Sequence, residues 1–124
     1  MYRYARGCDT RDPDAVAATF ADHAVLDAGP TRVEGREAIR AFYRSGLDRD
    51  RRHFVTNITT TAASAGLVRA TSYLLAIEVG DDCTIVRWGR YTDEIAVDAG
   101  GAGAAHFVYR RIELDGSAPF ADAS

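Results

Sequence analysis

Hydrophobic and polar positions divide the chain into a first part of helical stripes, interrupted by one short hairpin, and a second part of long strands. Up to about residue 46 the longer apolar stripes recur at three- to four-residue spacing, as on one face of a helix. Tyr2 to Asp9 reads as the end of a helix, with Tyr4 and Cys8 one turn apart. Asp12-Pro13-Asp14 restarts the chain: Asp12 suits a cap, and Pro13 suits the first helical position, where its missing N–H is no loss. Ala15 to Phe20 makes a second short helix. Ala24 to Asp27 is a short strand, Ala28-Gly29-Pro30 a turn, and Thr31 to Glu34 pairs back as a hairpin. Gly35 opens a third helix, Arg36 to Ser45, with Ile39, Phe42 and Tyr43 on its apolar stripe and Gly46 as its C-terminal cap.

Beyond an arginine-rich loop the period falls to two. His53 to Ala63, Leu67 to Val79 and Cys83 to Val97 read as long strands joined by the turns Ser64-Ala65-Gly66 and Gly80-Asp81-Asp82. A fourth, His106 to Leu114, follows a small-residue loop, Asp98 to Ala105, expected to be the most mobile internal segment. Helices first and then strands with short turns predict an α+β domain over 1–115, with a flexible tail over 116–124. Its antiparallel sheet, of about five or six strands, must twist and curl. Helices against its concave face then leave a cone with a pocket open at one end.

Composition narrows the partners. The 124 residues are 47% apolar and 27% charged, as in an ordinary globular domain. A formal charge of −3 argues against nucleic acid, and no window is long and apolar enough for a membrane span. Met1 to Arg6 leads into no apolar run of the kind a secretory leader carries, and Cys8 and Cys83 are too few for a disulfide framework. The expectation is a reduced, cytoplasmic protein with inert cysteines. All 15 basic residues are arginine, pointing to a GC-rich bacterial genome.

The candidate chemistry centres on Arg52-His53-Phe54-Val55-Thr56-Asn57. Strand alternation puts His53, Val55, Asn57 and Thr59 on one face and Phe54, Thr56 and Ile58 on the other. A histidine and an amide on a single face suit a polar pocket, although a solvent-facing strand end gives the same pattern. Asn57 either orients a ligand or satisfies a buried backbone group. His23 and His106 read as exposed or edge residues. No two histidines stand at ligand spacing and neither cysteine has a partner nearby, so neither metal nor cofactor is expected.

These segments, in this order, resemble the SnoaL-like branch of the nuclear transport factor 2-like superfamily. The resemblance runs from Tyr2 to Asp115 and is carried by Tyr4-Ala5-Arg6 with Asp9, Phe20-Ala21-Asp22, Ala24 to Asp27, Gly35 to Ile39, Arg52 to Asn57, Gly89-Arg90-Tyr91 with Asp93, and Arg110-Arg111. Within it the chain looks most similar to scytalone dehydratase and bile-acid 7α-dehydratase, which run without a cofactor. The resemblance implies a lyase or isomerase that moves protons on a small hydrophobic carbonyl compound, such as a natural-product or steroid-like ring. Tyr4, Asp9 and His53 stand where those enzymes keep a tyrosine, an aspartate and a histidine. Arg110 or Arg111 matches a late arginine of the bile-acid enzyme. A second histidine of scytalone dehydratase has no counterpart; Arg69, Ser72 and Tyr73 occupy that stretch.

An Asp9–His53 pair is suited to proton transfer, since the carboxylate holds the imidazole tautomer and stabilises the imidazolium. Asp9 can equally bridge Arg6 or Arg11. Tyr4 would stabilise an enolate-like oxygen. It lies five residues from Asp9, roughly 140° around an ideal helix, so the two flank one pocket only at a helix end or break. Asn57, Tyr43, Tyr73, Trp88, Tyr91 and Arg110 are the candidate substrate contacts, with the aromatics equally readable as wall and core. Asp27 and Asp93 are the alternative acid–base residues, as in epoxide hydrolases and ether-forming cyclases of the superfamily. A binding or accessory subunit without chemistry is a further alternative. The superfamily's use of the outer sheet face implies a homodimer or homotrimer.

Overall fold

The computed structural model describes residues 1–97 and 105–117. Three helices, α1 (Tyr2–Asp9), α2 (Pro13–Ala18) and α3 (Arg36–Gly46), accompany six strands: β1 (Phe20–Ala28), β2 (Thr31–Glu34), β3 (Arg51–Ser64), β4 (Leu67–Glu78), β5 (Thr84–Ala96) and β6 (His106–Ser117). All six form one curved, unclosed sheet in the order β2-β1-β6-β5-β4-β3. The α+β architecture is the one the pattern predicts.

Three differences matter. The sheet is not wholly antiparallel, because β6 returns to pair with β1 in parallel. The second helix also stops at Ala18, so Phe20 belongs to β1, where its buried ring packs against Phe107. β6 runs on through Gly116 and Ser117, which the sequence assigned to the tail. The 98–105 loop, apart from Ala105, and the tail from 118 lie outside the described residues.

Local chemistry explains the helical layer. Asp12 accepts a hydrogen bond from the Ala15 amide at 3.1 Å, with Pro13 at the first helical position. Gly7 lets α2 come close to α1: a Cβ there would lie 2.8 Å from Val16 Cγ2. α3 buries Ile39 and Tyr43, one turn apart. On β4, Ala70, Ser72, Leu74 and Ala76 are buried while the intervening residues are exposed, so one sheet face carries the core.

Under the helices sits a buried ion pair. Arg110 donates to Asp93 from Nε at 2.7 Å and Nη2 at 2.9 Å, and both side chains are fully buried. The guanidinium also lies 4.3, 3.7 and 4.2 Å from the ring centres of Tyr4, Tyr91 and Phe107. Burial in water-poor surroundings is tolerable because the charge is paired and its faces are covered by rings. The carboxylate holds the proton on Arg110 more firmly than usual, despite burial.

Candidate active site

Between α1, α3 and the inner face of the sheet lies a cavity of about 740 Å³, within the range of small-molecule sites. Tyr4 and Cys8 reach it from α1, Phe42 and Tyr43 from α3, and His53, Leu74 and Tyr91 from the sheet.

His53 enters the cavity near the start of β3, and its Nδ1 lies 2.7 Å from Asp9 Oδ1. The same oxygen accepts the His53 backbone N–H at 2.9 Å. A carboxylate accepts, so the neutral ring carries its proton on Nδ1 and leaves Nε2 as the base. Asp9 itself is not on the cavity wall. It is the last residue of α1 and stands behind the imidazole, while Tyr4, around the helix from it, faces the cavity. The five-residue spacing thus gives two roles at two depths rather than one shared face. Asp9 pairs with neither Arg6 nor Arg11 among the described ion pairs. Burial pushes the imidazole below its ordinary pKa of 6.5, against the pull of Asp9, and Arg51 and Arg87 push the same way.

The Tyr4 and Tyr43 hydroxyls are hydrogen-bonded to each other. Two hydroxyls hold two protons, and one O–H···O bond between them uses one, leaving one to donate to a guest. Tyr91 packs edge-on against Tyr4 at 5.9 Å between ring centres. Burial raises all three phenols above their usual pKa, so they remain protonated donors at neutral pH. Cys8 is likewise pushed up to about 12 by burial, which keeps it a thiol and not a nucleophile.

Other expected contacts lie elsewhere. Asn57 has φ +53°, at a register shift between Thr56 and Thr59, and is exposed. This bulge breaks the alternation that put it beside His53; asparagine tolerates the left-handed conformation. Tyr73 and Trp88 are 55% and 43% exposed on the outer face. Arg110 and Asp93 are locked to each other beneath the cavity and do not line it, whereas Arg111 does. Asp27 lines it, accepting from the Tyr109 hydroxyl at 3.0 Å with Arg32 at 3.5 Å.

Sequence reasoning missed the arginines of the wall, Arg49, Arg51 and Arg87. Arg51 was within reach, being two residues before His53 on the same strand face. Arg87 joins them only through strand register. Among the described residues no group of three or more His, Cys, Asp or Glu is arranged to hold a metal ion. No helix among them is long and apolar enough to cross a membrane.

The SnoaL-like domain model matches residues 1–107. The chain belongs to the SnoaL-like family. Solved structures share this SnoaL-like fold at low identity. Rv3472 of Mycobacterium tuberculosis, a protein of unknown function solved as a variant, is 20% identical with a TM-score of 0.82, over 92% of this chain but only 66% of that one. A candidate scytalone dehydratase from Novosphingobium aromaticivorans DSM 12444 is 21% identical over 95% of this chain and 80% of that one, TM-score 0.80. ActVI-ORFA from Streptomyces coelicolor is 23% identical over 90% and 89%, TM-score 0.80. At these identities the likeness establishes the fold. No curated protein matches the sequence.

Proposed function

We propose that this SnoaL-like protein is a cofactor-independent lyase or isomerase of the dehydratase type. Its substrate would be a small, largely hydrophobic carbonyl compound such as a natural-product or steroid-like ring. The observation that carries the reading is the 2.7 Å contact of Asp9 with His53 on the wall of a cavity that also presents the Tyr4–Tyr43 hydroxyls. His53 Nε2 takes a proton from the carbon next to the carbonyl, and the electron pair moves onto the carbonyl oxygen, where a tyrosine O–H stabilises it. The imidazolium, held by Asp9, then returns the proton. Delivered to a hydroxyl on the next carbon, it releases water and leaves a C=C bond. Delivered to a different carbon, it completes an isomerisation.

The likeness to the candidate scytalone dehydratase is in keeping with this reading. The cyclase or epoxide hydrolase alternative rests on Asp27, which lines the cavity but already accepts from Tyr109. The test is exchange in D2O with a panel of ring ketones and β-hydroxyketones, followed by mass spectrometry. The wild-type chain should incorporate deuterium next to the carbonyl or form the dehydrated product, and His53→Gln should do neither. Ligand binding without exchange would identify a binding subunit. Epoxide opening that survives His53→Gln and fails in Asp27→Asn would move the reaction to Asp27.

A further inference from the structure

We propose that Tyr43 on α3, rather than Tyr4 on α1, is the hydroxyl that touches the substrate oxygen, and that Tyr4 is a positioning residue acting through it. This assigns the donor of the proton-transfer site and rests on that reading of the cavity.

The two phenols share one hydrogen bond but not one environment. The Tyr4 ring is enclosed. Phe20, Tyr43, Tyr91 and Phe107 surround it, with ring centres 6.1, 5.8, 5.9 and 6.0 Å away. The Arg110 guanidinium lies over the ring at 4.3 Å from its centre. Phe20 and Phe107 do not line the cavity, so much of Tyr4 is committed to the core beneath it. Tyr43 meets fewer rings. Among the described residues they are Tyr4 at 5.8 Å and Phe42 at 5.2 Å. Its chain neighbours Phe42, Gly46 and Leu47 line the cavity with it, whereas α1 contributes only Tyr4 and Cys8. Tyr43 is therefore the phenol with room beside it for a guest.

Charge sets the direction of the shared bond. Among the described residues the ring contacts of Arg110 fall on Tyr4, Tyr91 and Phe107, and not on Tyr43. A cation beside a phenol favours release of its proton and makes its O–H the better donor. The Tyr4 hydroxyl thus donates to Tyr43 Oη, and the Tyr43 hydroxyl holds the proton left for the guest. A hydroxyl that accepts one bond is polarised and donates more strongly in turn. Burial raises the Tyr43 phenol, while the hydrogen bond of Tyr4 and the charge of Arg110 pull it back. The guanidinium, held by Asp93 under the cavity, in this way reaches the substrate oxygen through two phenols. When His53 takes its proton and the electron pair moves onto the carbonyl oxygen, Tyr43 tightens its hydrogen bond to that oxygen and keeps its own proton.

The absorbance of 6-cyano-2-naphthol bound to the full chain reads the donor apart from any catalysis, because naphthol and naphtholate differ in spectrum. The ionisation constant of the bound naphthol should fall about ten-fold in Tyr43→Phe, as for loss of a charge-assisted bond. It should fall by only about two- to three-fold in Tyr4→Phe, which loses the polarising bond and keeps the donor. The double variant should be no worse than Tyr43→Phe, because Tyr4 acts only through Tyr43. Deuterium exchange on a responsive ketone should follow the same order, with a loss of about 10²-fold in Tyr43→Phe. Circular dichroism would check that each variant folds. A crystal structure of the wild-type chain with the naphthol needs no variant: the naphthol oxygen should lie within about 3.2 Å of Tyr43 Oη and further from Tyr4 Oη. A larger loss in Tyr4→Phe than in Tyr43→Phe would make Tyr4 the donor and overturn the proposal. Losses that add in the double variant would overturn it too, since both hydroxyls would then touch the guest. Exchange that needs His53 but runs at the wild-type rate in Tyr43→Phe would sink the donor assignment and leave the proton-transfer reading standing.

Discussion

Asp9 Oδ1 accepts two hydrogen bonds from one residue, His53, through its backbone amide at 2.9 Å and its ring Nδ1 at 2.7 Å. The amide bond fixes where β3 begins relative to α1, and the ring bond fixes the tautomer. One carboxylate thus ties the architecture to the tautomer on which the proposed chemistry depends. Asp9→Asn keeps an acceptor for both bonds and loses the charge that stabilises the imidazolium. It should lower kcat/KM by about 10²- to 10⁴-fold, and His53→Gln should do the same. The double variant should be little worse than either, because the two act as a unit. Steady-state kinetics on the substrate found in the exchange screen checks all three.

The depressed pKa of His53 gives a pH signature. The base form is already dominant at neutral pH, so kcat/KM should rise along an acid limb with a midpoint below 6.5 and then stay flat. Asp9 is the group that pulls the value up, so the limb should shift to still lower pH in Asp9→Asn. Stability carries the same sign. The unfolded state takes up the proton more readily than the folded one, so the contribution from His53 is complete above 6.5 and declines as pH falls through that value. Urea melts at pH 7.5 and 5.5 should show a drop that is smaller in His53→Gln.

Tyr4→Phe removes the hydroxyl from a ring that is otherwise core, packed edge-on against Tyr43 and Tyr91. It also leaves the Tyr43 hydroxyl without the partner it has now. The expected cost is about 1–3 kcal/mol of stability for an orphaned buried hydroxyl. The kcat should fall by a further step that Tyr43→Phe does not fully match if Tyr4 is the donor to substrate. Denaturant melts and kinetics on the two single variants separate the two effects.

The buried pair beneath the cavity predicts a non-additive pattern. Asp93→Ala strands the Arg110 charge among three aromatic rings and should destabilise the fold by about 3–5 kcal/mol. Replacing both, as Asp93→Ala with Arg110→Met, should cost less than Asp93→Ala alone. A double-mutant cycle in urea gives the coupling directly.

On the outer face, Phe54 pairs with Leu75 and Leu75 with Trp88, which makes an apolar row across three strands. All three are exposed, as is Tyr73 beside them. We expect this face to close on a second copy in a symmetric homo-oligomer. Light scattering at micromolar concentration should give the mass of a dimer or trimer, and Phe54→Glu with Leu75→Glu should give that of a monomer.

Much of the fold was legible because period and punctuation agree: Pro13 at a helix start, Gly35 before α3, and alternation along β4 and β5. The parallel β1–β6 contact was not, since strand order depends on where the chain returns rather than on local pattern. In the site, the contact of His53 with Asp9 was anticipated through the resemblance to the dehydratases, since the residues alone left Asp9 free to bridge Arg6 or Arg11. Asn57 could not be read, because a one-residue bulge reverses every side chain after it. Nor could the fate of Arg110. Adjacent arginines on a strand face opposite sides, and only the tertiary packing decides that Arg110 goes inward to Asp93 while Arg111 meets the cavity rim.

Tyr4 and Asp9 both ride on α1, a helix of eight residues whose first turn has no side-chain cap. A segment that short has little helical stability of its own. It is held by Gly7 against Val16, by the Tyr4 ring and by the bond to His53. On warming, α1 should therefore detach while the sheet remains intact. Catalysis would then fail several degrees before the cooperative melt, with the amides of α1 the first to exchange with solvent.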